Sequence, residues 1–333
     1  MALQTIRNVG VDLVTRTVGA LFEAAKDTMG ATLEYTRYGF QDKFPDSPDE
    51  TMNAWWAPAP AALTVEGETY FSNQRYRGYP DSFTLYKYTS RLSYSEEVLA
   101  WLAKAPQAKQ TMEVKSMTTG AVQSLNYRID ELANKFFYLG FGTTFVTGGD
   151  ASAIFATGHA NRYGSTLGDD NIFPSGETHR AFSETALVDA LIQMNRYVGQ
   201  NGVQMLPVKR AVILCSHEKL PVVQKIVESK YGINSPNLGV NVANKEAIAR
   251  RGISIDYQVM SILPVAYKNY WWIVDLDRAQ DRLFMCWLWK PRTANDATVS
   301  NGTWEMDASF MGGPASCGWQ WGFGSKGDES TIA

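Results

Sequence analysis

The residues able to do chemistry in this chain are few and poorly arranged for it. Only three histidines occur, His159, His179 and His217. Cys215, Ser216 and His217 place two nucleophile types and a base at consecutive positions. A nucleophile needs its base within hydrogen-bond reach and a third group to orient that base. Neighbours on a strand-to-helix turn rarely face one another, so Ser216 is read as a helix cap. Asp169, Asp170 and Asn171 offer oxygens to a hard cation but lack the spacing of a calcium loop; a solvated turn is the expectation. GFGTTFVTGG supplies glycines without the GxGxxG or GxxxxGK[ST] pattern of a phosphate cradle. Trp55–Trp56 and Trp271–Trp272 could stack on sugars, although such side chains more often anchor cores and interfaces. No catalytic, cofactor or metal residue is assigned, and the chain is expected not to be an enzyme.

Composition points the same way. With 45% hydrophobic and 20% charged residues in 333, the chain can bury a full core and form two domains or one elaborate one. A net charge of −3 and the lack of a Lys/Arg-rich tail give no reason to expect strong nucleic-acid binding. A container, however, need not neutralise its contents. Cys215, Cys286 and Cys317 form no CxxC pair and are odd in number, so buried free thiols of a cytosolic chain are expected. No apolar run approaches the roughly 20 residues of a membrane span. Asp12, Arg16 and Glu23 interrupt the N-terminal pattern, so no signal peptide is expected.

The dominant element is a long helix at 107–139. Val114, Met117, Ala121, Leu125, Ile129, Leu132 and Phe136 recur every three or four residues on one face. Glu113, Lys115, Gln123, Asn126, Asp130, Glu131, Asn134 and Lys135 fill the other, and Gly140 and Gly142 are stops. Residues 1–30 read as a helix or arm. Pro45, Pro48, Pro58 and Pro60 make 40–62 extended, with Trp55 and Trp56 lying on the chain's own core or on a neighbour. Residues 63–95 read as a hairpin, 63–78 against 81–95, turning at Gly78, Pro80 and Asp81. A lone hairpin is marginal in water, so one carrying Tyr70, Phe71, Tyr76, Tyr79, Phe83, Tyr86 and Tyr88 needs a surface.

Further along, Ser95 caps a helix start, and Ser183 caps a helix with Leu187, Ala190, Leu191, Met194 and Val198 inward, ending at Gly199 and Gly202. LPVKRAVILC reads as a buried strand, and a helix capped by Ser216 follows, with Leu220, Val223, Ile226 and Val227 inward and Pro221 in its first turn. Residues 231–246 read as an exposed loop, 253–289 and the aromatic tail as strands, and 325–333 as frayed.

This order of arm, hairpin, long helix, glycine-rich loop, helix and strand–helix–sheet resembles the Hong Kong 97-like fold of tailed-phage major capsid proteins, an α+β class. FGTTFVTGGDASAIFATGHANRYGSTLGDDNIF resembles the segment after the spine helix in Mu-like major head subunits, through Asp150, Phe155, Thr157, His159 and Gly164, with Ala151 where glycine is usual. KYTSRLSYSEE at 87–97 resembles the exit of the extended loop.

The resemblance implies an N-arm at 1–62 and an extended loop at 63–95. It also implies a peripheral domain at 96–202, an axial domain at 203–290, and return strands and tail at 291–333. It implies a shell subunit assembling as hexamers and pentamers around double-stranded DNA, with portal and separate scaffolding or decoration proteins and no membrane. Trp55, Trp56, Tyr70, Phe71, Arg75, Tyr76, Arg77 and Tyr79 are then inter-subunit contacts, although Arg75 and Arg77 read equally well as solvated charges. The tip has no lysine, so autocatalytic crosslinking is not expected. A nanocompartment shell enclosing cargo enzymes and a carbohydrate-binding protein using its tryptophans remain the alternatives.

Overall fold

The computed structural model describes residues 18–25, 33–56, 76–95, 97–98, 101, 107–160, 170–199, 204–229, 241–293, 298–300, 303–328, 330 and 332. Helix α1, Gln107–Tyr138, runs 32 residues, about 48 Å at 1.5 Å per residue. Its apolar stripe is buried as expected at Val114, Ala121, Leu125, Ile129, Leu132 and Phe136. Two positions depart from the expectation. Met117 is exposed and Thr118 is buried in its place. The Thr118 hydroxyl donates to Val114 O at 2.7 Å, which satisfies it inside the core without leaving the helix. Asn134, expected on the polar face, is buried, and its Nδ2 donates to Asp130 O at 2.7 Å.

Strands β1 (Gln41–Lys43), β4 (Tyr86–Ser95), β8 (Leu283–Thr293), β9 (Thr298–Ser300) and β10 (Thr303–Ser316) form one sheet, ordered β1-β8-β10-β4 with β9 beside β10. Helix α1 packs on β10 and β4. Strands β5 (Arg210–Cys215), β6 (Ser254–Val259), β7 (Trp271–Asp275) and β11 (Gly322–Ser325) form the second sheet, ordered β11-β7-β5-β6. Its helices are α2 (Glu184–Asn195), α3 (Leu220–Glu228), α4 (Lys245–Ala249) and α5 (Leu276–Ala279). Strand β8, which begins in the expected 203–290 block and runs past its end, pairs with β1 and β10, while β11, from the return segment, pairs with β7. Chain crossing between the two sheets in this way ties them into one core. Phe136 and Phe137 of α1 pack against Phe40, Trp321 and Trp272 at centroid distances of 5.6–5.9 Å.

Several local expectations hold for clear reasons. Ser183 Oγ accepts from Ala186 N at 3.2 Å and caps α2. The helix ends at Asn195 rather than at the glycines beyond, and the Asn195 side chain is engaged there, its Oδ1 accepting from Val208 N at 2.8 Å. Strand β5 is buried from Ala211 to Cys215. Ser216 Oγ accepts from Lys219 N at 3.2 Å, but helical geometry begins only at Leu220, so the serine caps a turn that leads into α3.

Two expectations are corrected. In the 231–246 loop, residues 231–240 lie outside the described residues; Asn241 is buried and its Nδ2 donates to Ile226 O and Ser229 O, closing the C-terminus of α3. Beyond 325 the described residues, 326–328, 330 and 332, are docked rather than frayed. Ile332 is buried, Ile332 N donates to Glu177 O at 2.9 Å, and His179 N donates to Ser330 O at 2.9 Å. Of the N-terminal arm, 18–25 is helical with Val18 and Phe22 buried.

The hairpin differs most from the sequence reading. Strand β3 (Tyr76–Thr84) pairs antiparallel with β2 (Asp49–Trp56), while β4 pairs with β10. Gly78, Pro80 and Asp81 make no turn; they lie within β3. Pro80, which lacks an N–H, sits opposite Asn53, next to a register shift between Asn53 and Trp55. A proline is tolerated in a strand at such an irregularity. The true connection of the hairpin, 57–75, lies outside the described residues, as do Tyr70, Phe71 and Arg75.

Candidate functional site

The site that the fold builds most deliberately is the root of the β2–β3 hairpin. The ladder runs from Asp49 opposite Thr84 at the root to Trp56 opposite Tyr76 at the far end. Leu85 N donates to Pro48 O at 2.8 Å and closes the root. One carboxyl group then joins the hairpin to two other segments. Asp81, 5% exposed, accepts from Gly149 N through Oδ1 and from Gly318 N at 3.0 Å through Oδ2. Gly149 is required by close approach: a Cβ there would lie 2.6 Å from Pro80 O. Burial pushes the Asp81 carboxyl up to about 7, against the two backbone donors that lower it, with Asp150 adding to the rise. Asp130 behaves likewise: it accepts from Glu34 N and Tyr35 N, and burial lifts it to about 7.

These shifts have a sign. A carboxyl raised in the folded state binds a proton that the unfolded chain has lost, so its contribution to stability is complete below about pH 4 and is lost as pH rises to about 7. Asp81→Asn mimics the protonated form. The stability of the native protein relative to Asp81→Asn should fall between pH 5 and 8, with a slope of at most about 1.4 kcal/mol per pH unit. Denaturant midpoints of both proteins at the two pH values check this; a constant or rising difference contradicts it.

Next to Gly149 the loop makes a buried polar clamp. His159 Nδ1 donates to Asp150 Oδ2 at 2.7 Å, and Nε2 lies 3.2 Å from Asn171 Oδ1. Asn171 is held in turn, donating to Ile154 O at 2.6 Å and accepting from Ala156 N at 2.9 Å. Trp319 stacks on the imidazole at 4.5 Å. Burial pushes Asp150 upward, but the hydrogen bond and charge of His159 outweigh it and hold the group below the usual carboxylate range. Ala151 has φ 64°, the left-handed region that favours glycine. Ala151→Gly is therefore expected to stabilise the fold by about 0.5–1 kcal/mol. An unchanged or lower denaturant midpoint would contradict this. Gly164 of the same motif lies outside the described residues.

Other sequence candidates fall apart on geometry. Ser216 Oγ donates to Lys268 O at 2.7 Å, and burial pushes the Cys215 thiol up to about 12. Neither faces a base. Trp271 and Trp272 are fully buried and present no face to a sugar. Asp170 Oδ1 accepts from Gly158 N at 2.6 Å and Asn171 is in the core, while Asp169 lies outside the described residues. Among the described residues no cluster of three or more metal-ligating side chains occurs, and no helix is long and apolar enough to cross a membrane. Of the expected contact residues, Trp55 is brought opposite Arg77 and Trp56 opposite Tyr76, and Tyr79 is half-buried. Asp81, Gly149, Asp150 and Gly318 escaped the sequence reading as a group. Nothing in one sequence pairs positions 81, 149 and 318.

No family model matches the sequence, and no curated protein matches it. Solved structures do. A phage-related protein from Bordetella bronchiseptica superposes with a TM-score of 0.52 at 9% identity, covering 94% of this chain and 98% of that one. The capsid of cyanophage A-1(L) superposes with a TM-score of 0.50 at 12% identity, covering 90% and 94%. This chain has a Hong Kong 97-like fold. At such identities the likeness concerns architecture, and the Hong Kong 97-like fold here spans nearly the whole chain.

Proposed function

We propose that this chain is the major capsid subunit of a tailed phage, a structural protein without catalytic activity. It assembles from copies of itself, as hexamers and pentamers, into an icosahedral shell around double-stranded DNA. Portal and separate scaffolding or decoration proteins would be its other partners, and the virion its location. The Mu-like head type is proposed on Asp150, Phe155, Thr157 and His159. The division proposed from the sequence, with a peripheral part around α1 and an axial part at 203–290, goes with this reading.

The observation that carries the proposal is the Hong Kong 97-like architecture over nine-tenths or more of the chain, shared with a phage capsid. The physics of the hairpin supports it. Strands β2 and β3 pair with each other and with no other strand among the described residues. A two-stranded ladder alone is marginal in water, and sister copies supply the missing burial. The purified chain should elute as capsomers or particles, and negative-stain microscopy should show closed shells. Nucleic acid inside the shells supports a phage head, whereas packaged protein indicates a nanocompartment. A monodisperse monomer at high concentration overturns the proposal.

A further inference from the structure

The segment that follows β11 is strapped across the 174–180 stretch by a small set of bonds. Gly176 N donates to Ile332 O at 3.1 Å, Ile332 N to Glu177 O at 2.9 Å and His179 N to Ser330 O at 2.9 Å. The strap turns at Gly327, whose φ of 59° is left-handed and where a Cβ would lie 2.3 Å from Asn269 O. Among its described residues only Ile332 seats an apolar side chain in the core. A segment held by so few contacts belongs to the low-stability end of a fold, where local opening occurs. His179 lies beneath it. The imidazole is buried and meets the Phe141 ring edge-on at 5.7 Å. Its Nδ1 accepts from Lys326 N at 3.4 Å, which requires a neutral ring with its proton on Nε2.

We propose that His179 is a pH-operated latch: the neutral imidazole holds the 326–332 segment down, and protonation releases it. A proton on Nδ1 would set one N–H against another, that of Lys326, and leave a cation where water is excluded. The charged groups facing the ring are Lys326 and Asp328, both on the strap. Asp328 is engaged within the strap, accepting from Ser330 N at 3.1 Å and Ser330 Oγ at 2.6 Å. Lys326 Nζ lies 5.9 Å from the centroid of Phe141, the ring that His179 also meets. On the 174–180 stretch itself, Arg180 is taken up by Glu177 and Asp189. Beyond Phe141 stands Tyr270, whose hydroxyl is pushed by burial up to about 12 and stays neutral. Burial first, then the Lys326 ammonium, push His179 from 6.5 down to about 4, while Asp328 pulls the other way. The released segment leaves the imidazole at its ordinary value. Docking is therefore complete above about pH 6.5 and weakens as pH falls toward 4. From pH 7.5 to 5 the docking constant drops by about thirtyfold. Release uncovers the seat of Ile332 and frees backbone groups of Gly176, Glu177 and His179.

Hydrogen exchange of the full chain at pH 7.5 and 5, corrected for the intrinsic pH dependence of exchange, tests the latch. Protection in peptides covering 174–180 and 326–332 should fall by about thirtyfold at the lower pH, while peptides from β5 keep theirs. His179→Asn places an oxygen near the position of Nδ1 that accepts from Lys326 N but takes up no proton. Its two peptides should show the same protection at both pH values. Native protein equally protected at both overturns the latch, and so does a His179→Asn chain that loses as much protection at pH 5 as the native one. Should the smaller side chain free the segment already at pH 7.5, Lys326→Met decides. It removes the cation that opposes protonation of His179, so the loss at pH 5 should shrink; an undiminished loss overturns the latch.

Discussion

A chain lacking residues 57–75, with a two-residue turn joining Trp56 to Tyr76, folds as a soluble subunit and forms no closed shell. The deletion leaves the whole β2–β3 register, the Asp81 bonds to Gly149 and Gly318, and every residue of the core in place. Folding should therefore survive, with circular dichroism and melting temperature near those of the intact chain. Assembly should not. A few hundred Å² of apolar surface per copy, at about 25 cal/mol per Å², is worth several kcal/mol. Losing that at every contact lowers particle yield by more than about a hundredfold. Sedimentation and negative-stain microscopy read the result, and normal shells from the shortened chain would exclude the tip as a clamp between copies. A cut at 63–95, the bounds of the hairpin as read from the sequence, would be the wrong experiment. It removes β3 and Asp81 and so detaches the hairpin from its own subunit.

That difference shows where sequence reasoning stopped. Helix α1 was legible because its core contacts repeat at helical spacing, which needs no knowledge of the partner surface. The errors at Met117 and Asn134 arose where a polar side chain could satisfy itself against the helix backbone and enter the core. Strand β5 and the α2 cap were legible for the same local reason. The hairpin was not. Gly78, Pro80 and Asp81 carry strong local turn signals, but β2 offers a partner ladder, and the irregularity beside Asn53 absorbs the proline. Asp81 then serves as an anchor to segments 68 and 237 residues away in the chain. Such anchors are set by tertiary proximity, and no periodicity announces them. The docked tail at Ile332 was missed for the same reason: its partners, Gly176, Glu177 and His179, lie far upstream. The Hong Kong 97-like order of elements was visible because it depends on element type and length, which local patterns do encode.

The largest loss from a single substitution is expected at Arg278, which no motif marks. It is the single basic side chain of the short helix α5, yet it is almost wholly buried. Its Nε lies 3.0 Å from Asp275 Oδ2. Its other nitrogens donate to Met194 O at 3.1 Å, Gln320 O at 3.3 Å and Leu206 O at 2.6 Å. Met194 is in the last turn of α2, where carbonyls lack intrahelical partners. One guanidinium thus ties the end of α2 to the 206 segment, to the connection before β11 and to the end of β7. Burial lowers the pKa of Arg278 and raises that of Asp275, each disfavouring the charged form, and each charge is offset by the other. Arg278→Leu removes the donor to Asp275 Oδ2 and to the Gln320 and Leu206 carbonyls, whereas Met194 O keeps its bond from Tyr197 N at 3.4 Å. Breaking one side of such a pair costs about 3–5 kcal/mol before the carbonyls are considered, a large share of the whole stability of a typical protein. The variant should be recovered as insoluble chain or with a sharply lowered denaturant midpoint. Arg278→Lys should rescue little, since one ammonium cannot span acceptors that a planar fork reaches in several directions. Joint replacement by Arg278→Leu and Asp275→Leu should recover part of the loss by removing the stranded carboxylate, although Asp275 also accepts from Asp277 N at 3.0 Å and so caps α5. A single substitution with an unshifted midpoint would show that water or local rearrangement replaces the arginine at no cost.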